Sequence, residues 1–406
     1  MSIFFQDRMG ARKELSSFPG ETLASVLMRN HIPYTSVIST INDNPISEFT
    51  IVDNSVDYMV KLIEGYDIGA IISKVFTDGN FTCEYLKNRV YFNVDGSLVA
   101  EHCPLNCAEV VTMVEDNIAF AISNYKLIDK GETVLVGLSG GVDSSSLLIA
   151  LSKLCKQFDF KVVAATFEDF DSISSPTFTN AKTLAKNLGV EHKLIPADTI
   201  EKAFHLNKPL RQILPEMMKT KHHPYAMYTD HHTTRRALEI FSDEIGADKI
   251  LLGLHTTDLI AGLLNSYSTG YQMANMFKRV VGPYTYIYPL MFVPKKELHI
   301  YFYHHQKKYA VHSYPNAWEL DPKDRNYYYY LADQLQTIFP GIENYLFEAH
   351  GWALKRQNKL SFTRCCNCGS HILQQDCTPV NNEVCDVCAI LDDLGYVVKG
   401  DVRHEN

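Results

Sequence analysis

The chain has 406 residues, too many for one ordinary hydrophobic core, so two or three units are expected. Hydrophobic residues make up 46% and charged residues 21%, a globular balance, and no apolar run approaches the roughly 18 residues that cross a membrane. A net charge of −9 excludes a globally basic nucleic-acid binder; the local excess of Lys and Arg between Lys208 and Arg279 reads either as an RNA-facing patch or as a solvated mixed-charge surface.

The N-terminus meets charge at Asp7 and Arg8 before a signal-peptide core can form, so the expected location is cytoplasmic, with no membrane association. In chain order, alternation and turn residues predict a strand over Ser2–Gln6, a turn, and a helix over Thr22–Asn30. A strand over Thr35–Asn42, a turn at Asp43-Asn44-Pro45, and extended segments at Phe49–Val52 and Asp57–Ile63 follow. This order resembles the ubiquitin-like β-grasp of the ThiS and MoaD sulfur carriers. Gly65 is followed by Tyr66 and not by a free Gly-Gly carboxylate, so residues 1–68 are expected to form a fused docking or RNA-binding module. Residues 69–114 read as a linker or a degenerate zinc-finger-like hairpin. Cys83, Cys103 and Cys107 are either metal ligands completed by His102 or three ordinary buried thiols.

From Glu132 to Leu138 the chain is largely apolar and β-branched, as in a parallel strand buried on both faces. Ser139-Gly140-Gly141-Val142-Asp143-Ser144 follows directly and opens an apolar-periodic helix. Two glycines at such a junction let backbone N–H groups converge at the positive end of a helix, where phosphate oxygens are stabilised. The Lys of a Walker A loop is absent. A strand over Lys161–Phe167, a helix over about 177–188 and an extended run at Val190–Ile195 continue the βαβ alternation.

The hexapeptide resembles the signature of the PP-loop nucleotide α-hydrolases, which include asparagine synthetase, GMP synthetase, tRNA lysidine synthetase and the tRNA thiolases. The resemblance implies an α/β fold with a doubly wound parallel sheet, the HUP-like PP-loop ATP pyrophosphatase, over residues 115–350. It implies that Ser139, Gly140, Gly141, Val142, Ser144 and Ser145 bind the pyrophosphate end of ATP, that Asp143 acts with Mg²⁺, that Ala164, Thr166 and Phe167 flank the adenine, and that Gly253 lies at the nucleotide. Asp258 and Arg236 join Asp143 and Ser139 as expected catalytic residues.

Asn117–Thr133, Arg235-Arg236 with Ala247–Gly253, Ile287–Leu290, Lys296-Glu297 and Arg325 are similar to the tRNA 2-thiolation enzymes of the TtcA, TtuA and cytosolic thiouridylase type. Where sulfur-transferring members carry three Cys, this chain has Tyr228, His231 and a position near Tyr314, and Gly253–Asp258 is a degraded form of another family motif. His222, His223, His231, His232 and His255 read as a metal site or proton relay, or as an exposed polar helix end. Six of the ten cysteines lie between Cys365 and Cys388. Cys365-x2-Cys368, sixteen residues, then Cys385-x2-Cys388 has the spacing of a zinc ribbon over residues 351–406, with Cys366 and Cys377 surplus.

The expected activity is that of an ATP pyrophosphatase-type transferase or ligase forming AMP and pyrophosphate, with ATP, Mg²⁺ and Zn²⁺ as cofactors. The acceptor classes are a tRNA base, or a small molecule, peptide or protein, as in specialised metabolism or defence; a non-catalytic nucleotide-binding subunit is the third reading. The expected partners are that acceptor, a separate sulfur-carrier protein, and a second copy in a homodimer.

Overall fold

The computed structural model describes residues 2–6, 12–30, 32, 34–62, 85–92, 98–105, 107–168, 176–222, 225–269, 275–312, 323–339, 341–355, 362–373 and 384–398. Packing gathers the chain into two units that interleave along the sequence: 1–125 with 254–276 and 289–351, and 126–253 with 277–288 and 352–406.

The first unit opens with a five-stranded sheet of β1 (Ile3–Gln6), β2 (Arg12–Leu15), β3 (Val37–Ile41), β4 (Asn44–Ile46) and β5 (Tyr58–Leu62), in the order β2-β1-β5-β3-β4. Its two central strands, β1 and β5, run parallel in the register Ile3 to Tyr58, and all other pairs are antiparallel. Helix α1 (Leu23–Arg29) starts at Thr22, whose Oγ1 accepts from Ser25 N at 3.2 Å, a side-chain N-cap. Its Leu23, Val26 and Leu27 are fully buried against Ile3, Val37 and Val60. Two expectations are corrected. The segment read as a turn contains β2, whose charged Arg12-Lys13-Glu14 is exposed while Leu15 alone points inward. Asn44-Pro45 belongs to edge strand β4, a place where Pro costs no ladder bond, and Phe49–Val52 contributes only a single bridge from Ile51 to Thr22. Strands β6 (Tyr85–Phe92) and β7 (Leu98–Leu105) form an antiparallel hairpin, followed by α2 (Cys107–Asn124). Cys83 lies outside the described residues.

In the second unit, β8 (Thr133–Gly137), β9 (Lys161–Phe167), β10 (Glu191–Ile195), β11 (Lys249–Leu251), β12 (Lys278–Val281) and β13 (Tyr284–Ile287) make a six-stranded sheet in the order β10-β9-β8-β11-β13-β12. It is parallel except for edge strand β12. Helices α3 (Val142–Phe158), α4 (Pro176–Leu188), α5 (Ala197–Ala203), α6 (Leu210–Met217) and α7 (Ala226–Ile245) belong to this unit, and Val134, Leu135 and Val136 of β8 are fully buried. Lys249 of β11 is also buried and satisfies its charge with Glu132 and with Asp129 at 3.3 Å. The chain runs from β8 outward to β9 and β10, then returns to the other side of β8 at β11. The carboxyl end of β8 is therefore the topological switch point, where open α/β sheets bind ligands.

Helices α8 (Thr256–Thr269), α9 (Lys295–Tyr309), α10 (Lys323–Ile338) and α11 (Ile342–Lys355) pack with the N-terminal sheet in the first unit. Thr35 Oγ1 donates to Asp333 O at 3.1 Å and Lys296 Nζ donates to Glu48 Oε2 at 2.9 Å, while Tyr301 OH donates to Glu115 on α2 at 2.9 Å. The hairpin β14 (Phe362–Arg364) and β15 (His371–Leu373) and helix α12 (Asp386–Asp393) close the second unit, where Asn207 N donates to Tyr396 O at 3.0 Å. Among the described residues no helix is long and apolar enough to cross a membrane. Leu135→Ala, which opens a cavity in the central strand, is expected to lower stability by about 2–5 kcal/mol in a denaturant titration.

Candidate nucleotide site and cysteine cluster

The loop after β8 is pinned on both sides before it turns. Leu138 N donates to Ala165 O at 2.8 Å and Leu138 O accepts from Thr166 Oγ1 at 2.6 Å, which locks the exit of β8 to β9. Gly140 then takes φ +84°, and a Cβ there would lie 2.1 Å from the carbonyl oxygen of Thr177 at the start of α4. No other residue fits that position. Asn180 Nδ2, buried, donates to Gly140 O at 2.7 Å and holds the contact. Gly141 is the N-cap of α3 and offers no side chain, so the first-turn N–H groups have no side-chain cap. Ser139 N donates to Ser144 Oγ at 3.2 Å, and the two hydroxyls are 3.0 Å apart. Among the described residues, Ser145 Oγ and Ser146 Oγ are buried with no hydrogen-bond partner. Gly253 approaches from β11: a Cβ there would meet Ser144 N at 2.9 Å. A glycine turn, an uncapped helix start and an orphaned hydroxyl suit an anion with several acceptor oxygens, and phosphate fits.

Ala164, Thr166 and Phe167 end β9 beside this loop, but their side chains are buried in packing; Thr166 Oγ1 also lies 2.8 Å from His192 Nε2. Because Thr166 spends its proton on Leu138 O, His192 is the donor of that second bond. Burial pushes the His192 pKa below its ordinary value, with Lys182 adding to the effect. Neither Asn180 nor His192 was among the expected site residues; Asn180 was detectable as a polar residue on the apolar stripe of Ala181, Leu184 and Ala185. Asp258, expected to be catalytic, accepts from His255 N at 3.1 Å at the start of α8 and also from Tyr329 OH, the pattern of a capping box with His as the cap.

Arg236, expected to be catalytic and part of a basic stretch, is buried on α7, donating through Nε to Cys368 O at 2.9 Å. The expected histidine cluster separates into local pairs, His222 to Asp393 at 2.7 Å and His232 to Cys385 Sγ at 3.7 Å; His223 lies outside the described residues. Tyr228 and His231 are both exposed on α7, and the third position, near Tyr314, lies outside the described residues.

Cys365, Cys368, Cys385 and Cys388 are all buried, and their sulfurs converge within 4.8 Å of one another. The Cys365–Cys388 and Cys368–Cys385 sulfur pairs are each 3.8 Å apart. Four thiolates around one ion at about 2.3 Å stand at the corners of a tetrahedron with edges of about 3.8 Å. Each sulfur also has a polar neighbour. Cys365 accepts from Cys385 N at 3.3 Å, Cys385 from Cys388 N at 3.4 Å and Cys388 from Asn367 Nδ2 at 3.2 Å, while Cys368 lies 3.3 Å from Ser370 Oγ. Donors aimed at sulfur suit thiolates, and a single tetrahedral metal ion fits this donor set. Cys366 is exposed, and Cys377 lies outside the described residues.

Gly140→Ala should weaken MgATP binding at least about tenfold, a loss of about 1.4 kcal/mol, in an equilibrium titration. Cys385→Ser should lower the bound metal measured by elemental analysis together with the thermal midpoint, and unchanged metal would remove the cluster's role as a ligand set.

Residues 126–279 match the asparagine synthase family. Over 203 residues, 48% of this chain, the sequence is 27% identical to a tRNA-cytidine(32) 2-sulfurtransferase of Ralstonia pickettii, of which it spans 59%. A protein of the same name from Pseudomonas putida is 30% identical over 188 residues, covering 45% of this chain and 62% of that one. The chain thus spans about three-fifths of the length of these relatives. The fold is similar to that of the U34-tRNA thiolase NcsA from Methanococcus maripaludis with its [4Fe-4S] cluster, at a TM-score of 0.54 and 17% identity, covering 73% of this chain and 92% of that one. The parallel α/β domain built around Ser139–Ser145 is accordingly a PP-loop domain, and the chain is similar to the tRNA thiolation enzymes of that family.

Proposed function

We propose that this protein is a cytoplasmic ATP-dependent tRNA-modifying enzyme that adenylates a base carbonyl and releases pyrophosphate. The observation that carries the reading is the orphaned Ser145 hydroxyl beneath an uncapped helix start, entered through a glycine that tolerates no side chain. In this reading Ser139, Gly140, Gly141, Ser144 and Ser145 take the β- and γ-phosphates, Asp143 at the first turn of α3 holds Mg²⁺, and the backbone at the carboxyl end of β9 flanks the adenine. A bound Mg²⁺ supplies charge neutralisation to the phosphates; the loop's own part is to present fixed dipoles that need no reorganisation. In this reading Asp258 keeps the catalytic role expected of it, while Arg236 serves by supporting the structure around Cys368.

The names of the similar proteins support tRNA over a small molecule or peptide as acceptor. Tyr228 and His231, in places where sulfur-transferring members carry thiols, support delivery of sulfur from a separate donor such as a thiocarboxylate on a carrier protein. We further infer that residues 1–68 are a β-grasp docking module, for which the order β2-β1-β5-β3-β4 with a parallel central pair is the support. Residues 69–114, within which β6 and β7 pair, are a linker or a degenerate zinc-finger-like hairpin, 115–350 the catalytic part, and 351–406 a zinc ribbon held by Cys365, Cys368, Cys385 and Cys388.

Product analysis of α-labelled ATP with Mg²⁺, with and without bulk tRNA, tests the reaction. RNA-stimulated AMP is expected, with Asp143→Asn reducing it by at least about 100-fold while the circular-dichroism spectrum is kept. AMP formation indifferent to RNA would replace tRNA with another acceptor, and its complete absence would overturn the proposal.

A further inference from the structure

Helix α7 closes over the cysteine cluster with polar side chains that are themselves buried. His232, 4% exposed, places Nε2 3.7 Å from Cys385 Sγ and Nδ1 3.1 Å from Nη2 of Arg235. A guanidinium has donors and no acceptor, so Nδ1 accepts that bond. A ring that accepts at Nδ1 carries its proton on Nε2, and this N–H faces the sulfur. Behind it, Arg235 Nε lies 3.4 Å from Glu239 Oε1, and Glu239, fully buried, accepts from Tyr286 OH on β13 at 2.7 Å. Next along the helix, Arg236 Nε donates to Cys368 O and Nη1 lies 3.4 Å from the other oxygen of Glu239. Its guanidinium packs over Gly369, where a Cβ would stand 2.9 Å from Nη2.

We propose that His232, oriented by Arg235 and Glu239, is an outer-shell hydrogen-bond donor to the Cys385 thiolate, and that with the Arg236–Cys368 bond it makes α7 part of the metal site. This rests on the reading of the four cysteines as a metal site. The physical case is charge. Four thiolates on one divalent ion leave a net −2 in a buried place, which is costly unless donors and cations compensate it. Arg235 and Arg236 against Glu239 supply a net positive charge, and the His232 N–H draws electron density from one sulfur. A merely space-filling ring would need neither the arginine behind it nor a particular tautomer. Because α7 also presents Tyr228 and His231, the arrangement ties metal binding to the placement of that exposed segment. His232 is a positioning residue and not a catalytic one.

The test uses the full chain loaded with zinc and, in parallel, with cobalt. The readouts are metal content, the rate of zinc release to a colorimetric chelator, and the sulfur-to-cobalt charge-transfer band. His232→Phe should keep bound zinc but release it about tenfold faster or more, with a shifted cobalt band. His232→Gln, which restores an N–H donor, should return both readouts towards the unmodified protein. Arg235→Met, which leaves the ring in place but frees its tautomer, should behave as His232→Phe does and stands in for it if that variant fails to fold. Release rates and bands in the Phe and Met variants equal to those of the unmodified protein would overturn the proposal, as would a Gln variant as fast as the Phe one, since that result assigns the effect to packing. Unmodified protein that binds neither zinc nor cobalt would instead overturn the metal-site reading beneath it.

Discussion

The contact between Gly140 and the carbonyl of Thr177 sets the shape of the phosphate loop, because the two backbones meet where no side-chain atom has room. From that contact follow the positive φ, the turn into α3 and the clustering of Ser139, Ser144 and Ser145. Gly253 repeats the arrangement on the other side, bringing the chain after β11 against the first turn of the same helix. The loop is therefore clamped between two glycine contacts and an Asn180 hydrogen bond, and a clamped loop can aim its N–H groups before any ligand arrives.

The sheet beneath supplies the location. β8 is buried on both faces, and its neighbours β9 and β11 lie on opposite sides, so the chain opens a crevice at the carboxyl end of β8. Charged groups inside this unit are paired where they are buried: Lys249 with Asp129 and Glu132, and Glu239 with Arg235, Arg236 and Tyr286. Breaking one partner of such a group leaves a buried charge uncompensated, which costs more than the pair contributed.

The cysteine cluster gives order to a stretch with little apolar core of its own. β14 and β15 are three residues each and α12 has eight, too few to bury much surface. Convergent sulfurs and the α7 contacts supply the missing cohesion, and the backbone of Asn207 reaches Tyr396 in the segment that follows α12.

Local pattern was enough to read β8, β9 and the helix after each of them, because a doubly buried strand followed by a polar turn, with two glycines after β8, and an apolar-periodic helix has few other solutions. The same holds for the four cysteines, whose spacing already implied one metal site. Short elements escaped it: β2 has one inward residue, and β4 carries a Pro that only its edge position tolerates. Roles decided at long range were also illegible. Arg236 looked like a cation for phosphate until Cys368, 132 residues away, was seen to accept its hydrogen bond, and His232 looked like one of a run of histidines until Cys385 stood beside it. The chain's own order determined the motifs, since each is completed within a few residues; the tertiary structure decided which polar side chains serve them, since burial and partner are properties of neighbours brought together only by folding.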